Sequence, residues 1–181
     1  MKKTHTSSVT LSAVAAALYA VGVVVLGPIS FQVFQVRVAD ALLPLSMLFG
    51  WPVIIGLTLG TIVANLFGGL GPIDIVGGGL ANFFAGYIAW RISLNRGKPW
   101  RLLGVASQVI IVTAIVGTPL SYLFGMPLEV GLLGVLIGSI VAIGILGSLL
   151  LLALSSKRVS GAFKLPPGSS RESPRQSSTA A

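Results

Sequence analysis

Cysteine is absent from the 181 residues, which excludes disulfides, thiolate nucleophiles and Cys-based metal sites. Histidine occurs once, as His5 in the polar N-terminal tip, where a solvated side chain is a better reading than a metal ligand. There are four acidic residues, Asp40, Asp74, Glu129 and Glu172, too few to suit a metal-dependent membrane transferase. The chain has no HExxH, no Ser/His/Asp grouping and no glycine-rich loop ending in Lys-Ser or Lys-Thr. A zinc-protease site and an ATPase site are therefore excluded. Charged residues make up 9% of the chain, against about 25% in a soluble domain.

What is abundant is apolar. Hydrophobic residues account for 54% of the chain and the mean hydropathy is +0.96. They fall in long runs of the kind that span a bilayer, for which about 18 residues or more is the usual length. The pattern predicts an all-α membrane protein, a six-transmembrane-helix bundle. The expected spans are Val9–Leu26, a short Ala41–Phe49, Val53–Phe67, Ile75–Trp90, Leu102–Phe124 and Leu128–Leu154. Residues 1–8 form a cytoplasmic tip, 9–154 the membrane domain, and 155–181 a basic tail rich in Ser, Pro and Arg that is expected to be disordered. Lys2 and Lys3 before an apolar run resemble a signal peptide, but Val9–Leu26 exceeds the usual core of roughly 7–15 residues and reads as a retained span.

The net charge of +8 does not indicate a nucleic-acid partner, because the basic residues cluster between apolar runs rather than along one face. That distribution is topogenic, with some attraction to anionic lipid headgroups. It also decides the span count. Ala41–Phe67 could be one helix kinked at Trp51-Pro52, giving five spans. Six spans with both termini cytoplasmic put every Lys and Arg except Arg37 inside, and Asp40, Asp74 and Glu129 outside. Five would put the cluster from Arg91 to Arg101 outside, against the positive-inside tendency.

Small residues recur within the spans. Gly56/Gly60 and Gly134/Gly138 make GxxxG pairs, best read as packing inside the bundle. Ala13/Ala17 and Ala16/Ala20 make AxxxA pairs on the first span, serving packing within the chain or against a partner equally well.

The outer side holds the unusual polar groups. In the first outer connection Gln35, Arg37 and Asp40 lie close together; an ordinary connector, with Asp40 capping the next helix, competes with a binding role. Asn65 precedes a turn of Gly68-Gly69-Leu70-Gly71-Pro72, and Asp74, the triplet Gly77-Gly78-Gly79 and Asn82 follow it. Asp74 could cap the fourth span, and Asn65 and Asn82 could equally be bundle hydrogen bonds. Three glycines in a helix cost about 1 kcal/mol each against Ala and suggest close approach by a backbone or ligand. Polar groups within spans are expensive and hence candidate functional groups. Glu129 suits a helix dipole; Gln108 and Thr113 are weaker candidates.

These segments resemble the queuosine-precursor transporter family, QueT, a group of substrate-binding S components of energy-coupling-factor (ECF) transporters. The resemblance covers about Leu11 to Leu152. It rests on Gln35-Val-Arg37-Val-Ala-Asp40-Ala-Leu-Leu-Pro44, and on Gly56-x3-Gly60-x3-Ala64-Asn65 with Gly68-Gly69-x-Gly71-Pro72-Ile73-Asp74-Ile75-Val76-x-Gly78. Three positions depart from the pattern: Asp40 where Glu is expected, Thr113 where Asn is expected, and Ser139 after Gly138 where Glu is frequent.

The resemblance implies a six-helix bundle of the ECF S-component type with an outward-facing pocket for a small solute, a 7-deazaguanine precursor of queuosine. It implies a transmembrane T component and two ATP-binding-cassette ATPases as partners, which hydrolyse the ATP; this chain itself carries no cofactor and is not an enzyme. The Ala13, Ala16, Ala17 and Ala20 face resembles the surface that docks on the T component. Gln35, Arg37, Asp40, Asn65, Asp74 and Asn82 are the expected substrate-binding residues, since a guanine-like edge offers adjacent N–H donors to a carboxylate. An S component for another vitamin-like solute, a stand-alone secondary transporter and a membrane enzyme are the competing readings. The second should show coupling groups and internal repeats, neither of which is evident, and the third a catalytic cluster.

Overall fold

The computed structural model describes residues 2–30 and 36–155, and every regular element among them is helical. Gln35 and almost all of the tail lie outside the described residues. Helix α1 is Lys2–Val25, with Thr6–Val25 as its apolar stretch, and a single turn, α2, follows at Gly27–Ser30. Next come α3 (Val38–Phe49), α4 (Trp51–Gly68), α5 (Pro72–Ser93), α6 (Lys98–Leu123) and α7 (Leu128–Leu154). Five of these, α1 and α4 to α7, are long and apolar enough to cross a membrane. The expected second span is the shorter helix α3.

Trp51-Pro52 does not kink one long helix. Gly50 adopts φ +63°, outside the range helical residues use, and a Cβ there would lie 3.1 Å from Trp90 Nε1. Pro52 then falls in the first turn of α4, where its missing N–H costs nothing. The chain is thus cut into two helices at Gly50.

Helix α3 is itself composite: Val38–Leu45 is a 3-10 helix and Ser46–Phe49 an α-helical turn. A 3-10 helix rises about 2.0 Å per residue, so α3 reaches roughly 22 Å, against about 30 Å for a bilayer core. Its eclipsed i, i+3 side chains put Asp40 and Leu43 on one line, with Arg37 just ahead of the first turn.

Around α3, helices α4 to α7 alternate in direction, whereas α1 does not continue the alternation. Helices α1 and α4 run parallel: the Ser12 hydroxyl donates to the Pro52 carbonyl at 2.7 Å, and a Cβ on Gly60, further along α4, would lie 2.7 Å from the Ala16 carbonyl oxygen. Gly56 and Gly60 therefore serve packing within the chain, letting the α1 backbone seat directly on α4. Helix α5 returns antiparallel to α4, with Asn65 beside Asp74 and Ile54 facing Gly86. Helix α6 reverses again, with Gly104 against Ala89 and Pro119 near Gly77. Helix α7 closes the bundle antiparallel to α6, with Leu132 packed on Gly117; its centre, Ile140–Gly147, is π-helical.

Helix α3 fills the place between α1 and α7 and also touches α4, α5 and α6. The Gln108 side-chain amide donates to the Leu43 carbonyl at 3.0 Å and to the Ser46 hydroxyl at 3.3 Å, and Pro44 packs where a Cβ on Gly147 would fall. Its two ends reach different levels of the bundle: Asp40 meets Tyr19 on α1, and Gly50 meets Trp90 near the far end of α5.

Candidate functional site

The polar groups expected from the sequence converge where the start of α3 meets α1, α4 and α5. Arg37, Asp40, Asn65, Asp74 and Asn82 are all buried, none more than 6% exposed. The Tyr19 hydroxyl donates to Asp40 Oδ1 at 2.5 Å. The Arg37 guanidinium lies in electrostatic reach of Tyr19, Asp40 and Asp74. One buried cation thus lies within electrostatic range of two carboxylates contributed by different helices, an arrangement that offsets part of each charge's lost hydration.

The neighbouring layer is built on α4 and α5. The Asn65 amide nitrogen donates to the Asp74 backbone carbonyl at 2.8 Å, and the Asn82 amide donates to the Thr61 hydroxyl. Thr61 and Asn65 are one turn apart on α4, and Asp74 and Asn82 two turns apart on α5, so each pair shares a helix face. Gly78 lies between Asp74 and Asn82, and a Cβ there would collide with the Asn65 amide. Gly79 likewise makes room for Ile62. The glycine triplet therefore admits α4 side chains, one of them the Asn65 amide of the cluster.

Neither carboxylate caps its helix. Asp40 and Asp74 both sit inside the first turn, after Arg37 and Gly71 at the respective cap positions, and neither cap makes a side-chain hydrogen bond. Two acceptors in the cluster, Asn65 Oδ1 and Asp74 Oδ2, are buried without a hydrogen-bond partner among the described residues. Buried acceptors are seldom left unpaired, and both call for a donor.

Arg37, Asp40 and Asn82 form the polar wall of a small cavity. Val112 and Val116 of α6 and Val135, Gly138 and Ser139 of α7 complete it. Its volume is about 10 Å³, room for about one water molecule and far below the roughly 300–1,000 Å³ of a ligand pocket. The chemistry is asymmetric, with charges and amides on one side and valine methyls on the other. A flat polar ring, edge to the amides and face to the valines, would suit such a site.

The sequence model of the QueT transporter family matches residues 9–156. The chain belongs to the QueT transporter family. The match takes in four of the described helices that could cross a membrane, all but the first three residues of the apolar stretch of α1, and the whole buried cluster. As a QueT-family protein the chain is a multi-pass membrane transport component with a small-molecule substrate, and a transporter rather than an enzyme. No curated protein and no solved structure matches it.

Tyr19 and Thr61 are cluster members that sequence reasoning missed. Both are fully buried, yet Tyr and Thr are ordinary residues in apolar spans. The available signal was that Tyr19 is the only tyrosine before Tyr87, set mid-span where its hydroxyl must find a partner. Glu129, in the first turn of α7, and Gln108, beside Leu43 and Ser46, are not in the hydrogen-bonded cluster. Thr113 on α6 is half-buried, and its hydroxyl oxygen is buried without a hydrogen-bond partner among the described residues. The alanine face of α1 divides: Ala16 packs against Gly60 and Ala20 against the core, whereas Ala13 and Ala17 are exposed.

Proposed function

We propose that this QueT-family chain is the solute-binding membrane subunit, the S component, of an energy-coupling-factor importer, and that it holds a queuosine precursor of the 7-deazaguanine type at the buried cluster. One observation carries this reading above the others. A guanidinium and two carboxylates are buried among apolar helices, and two acceptors of this cluster, Asp74 Oδ2 and the neighbouring Asn65 Oδ1, lack donors among the described residues. A guanine-like edge with adjacent N–H groups supplies donors of that kind. Asp40 and Asp74 take the N–H edge in this reading. Arg37, Asn65 and Asn82 address the carbonyl and ring nitrogens, and Gln35 joins them from the first outer connection.

The proposed topology has six passages with both termini cytoplasmic, α3 being the second. Three features support it: the parallel course of α1 and α4, the level of Gly50 beside Trp90, and the gathering of Lys2, Arg91, Arg96, Lys98 and Arg101 at one end of the bundle. The T component and two ABC-type ATPases supply the energy, in keeping with the lack of a nucleotide motif in this chain. Ala13 and Ala17 are the part of the alanine face that remains exposed for docking on the T component.

A second reading is an S component for another vitamin-like solute. Ser139 favours it, because this departure from the resemblance lines the cavity. Purification from native membranes, with mass spectrometry of the co-purified small molecule, tests both. A 7-deazaguanine supports the first reading and a different vitamin-like molecule the second. ATP-independent uptake by the chain alone contradicts both.

A further inference from the structure

At the opposite end of the molecule α6 and α7 part to leave a second cavity, about 250 Å³ in volume. Lys98, Arg101 and Val105 line it from α6, and Ser148, Leu151 and Ser155 from α7. Each set follows the i, i+3, i+7 spacing of one helix face. Because the helices are antiparallel, the cavity is graded along its length. Lys98, Arg101 and Ser155 form one end, and Val105, Leu151 and Ser148 the other, roughly 10 Å away at 1.5 Å per residue. Leu102 and Leu152, 66% and 59% exposed, form its open lip.

The basic end lies at headgroup depth. Trp100, between Lys98 and Arg101, is partly exposed and carries the Arg96 guanidinium 4.1 Å from its ring centroid, and tryptophans of this kind mark the membrane interface. Among the described residues no carboxylate shares this end: Asp40, Asp74 and Glu129 all belong to the other. The sequence past Ser155 is itself basic, with Lys157, Arg158, Lys164, Arg171 and Arg175 against Glu172 alone, and so adds to the positive charge of this end of the chain. The occupant must be anionic at one end, apolar at the other, and available from the bilayer.

We propose that this crevice is a binding site for one anionic phospholipid. Lys98 and Arg101 hold the phosphate, with the Ser155 hydroxyl beside them, and an acyl chain lies along Leu151 toward Val105. Basic recesses between transmembrane helices on the cytoplasmic side take anionic headgroups in this way. The site is separate from the solute cluster, and its test does not depend on the identity of the solute.

The test is native mass spectrometry of the full chain titrated with phosphatidylglycerol, with phosphatidylethanolamine of the same acyl chains, and with glycerol phosphate. Phosphatidylglycerol is expected to be retained selectively. Each Lys or Arg near a membrane surface is worth about fivefold, so Lys98→Gln/Arg101→Gln should weaken retention roughly 30-fold. These side chains are not core groups, so the double variant keeps the wild-type unfolding temperature. Arg91→Gln/Arg96→Gln, with the same charge change at the same end but outside the crevice, should retain the lipid as wild type does. Val105→Trp fills the apolar end and should lower retention with both charges intact. Equal retention of the two lipids, equal loss in both double variants, or binding of glycerol phosphate as tight as that of the lipid would overturn the proposal.

Discussion

The two ends of this bundle treat charge in opposite ways. Where α3 begins, one guanidinium and two carboxylates from different helices are buried in one cluster, tied to Tyr19 and bordered by Asn65 and Asn82. At the other end Arg91, Arg96 and Lys98 are exposed, with Arg101 half-buried. Exposed charges at a membrane surface cost little and set orientation. Buried ones must be compensated, and removing one partner leaves another stranded. The comparison teaches that sign and number matter less than burial: the basic end keeps its charges in contact with solvent, whereas the other end holds charge inside the bundle, where it must be compensated. Such retention is characteristic of functional groups inside membrane proteins.

The strongest way to break this contrast is Asp40→Ala. It removes the carboxylate bound by Tyr19 and facing Arg37, and loss of one member of a buried ionic group costs about 3–5 kcal/mol. Thermal unfolding of the purified protein should show that loss, whereas Arg91→Ala should stay within about 0.5 kcal/mol of wild type. If the two variants melt alike, the Arg37–Asp40 cluster is not a compensated buried group.

A somewhat smaller effect is expected at the α1–α4 contact. Gly60→Val would push against the Ala16 backbone and the Tyr19 Cβ, an overpacking that costs about 1–3 kcal/mol. Because Tyr19 is displaced with α1, the variant should lose solute binding as well as stability. Unaltered binding in a destabilised variant would uncouple this packing from the cluster. Tyr19→Phe sharpens the comparison further by deleting one hydroxyl. Its hydrogen bond is to a charged group, worth about 1.5–3 kcal/mol, and an unfolding curve indistinguishable from wild type would show that Asp40 does not depend on it.

The smallest effect distinguishes the two faces of α1. Ala17→Leu adds bulk on the exposed side and Ala16→Leu on the side seated against α4. The first should leave the unfolding temperature unchanged while weakening co-purification with the T component proposed above as a partner. The second should lower it. Equal destabilisation by both would place Ala17 inside the bundle's own packing.

Much of this architecture was legible in the sequence because burial in lipid imposes uninterrupted apolar runs. The long helices could be read from those runs, and the break before α4 from Trp51-Pro52. Arg37, Asp40, Asn65, Asp74 and Asn82 stood out because polar groups are scarce in such segments, and the structure brings these five together. The rest depended on contacts between distant residues. Nothing local to Val38–Leu45 announced a 3-10 helix, although that geometry aligns Asp40 with Leu43. Tyr19 looked like any aromatic in a span, since its partner lies on another helix. The AxxxA spacing marked small residues on α1 without telling which pair faced α4, because α4 supplies Gly56 and Gly60 from far along the chain. The glycine triplet raised the expectation of a ligand or a backbone at close range; what approaches Gly78 is the Asn65 side chain.

The central claim is that the buried charged end is the solute site. Its most direct test is calorimetric titration of the purified chain with a 7-deazaguanine base, comparing wild type, Asp74→Asn and Lys98→Gln. Asp74→Asn keeps the size of the side chain and changes an acceptor-only carboxylate into an amide that also carries donors. The account predicts that Asp74→Asn weakens binding at least tenfold, about 1.4 kcal/mol, while Lys98→Gln binds as wild type does. Wild-type affinity in Asp74→Asn, or equal losses in the two variants, would contradict it.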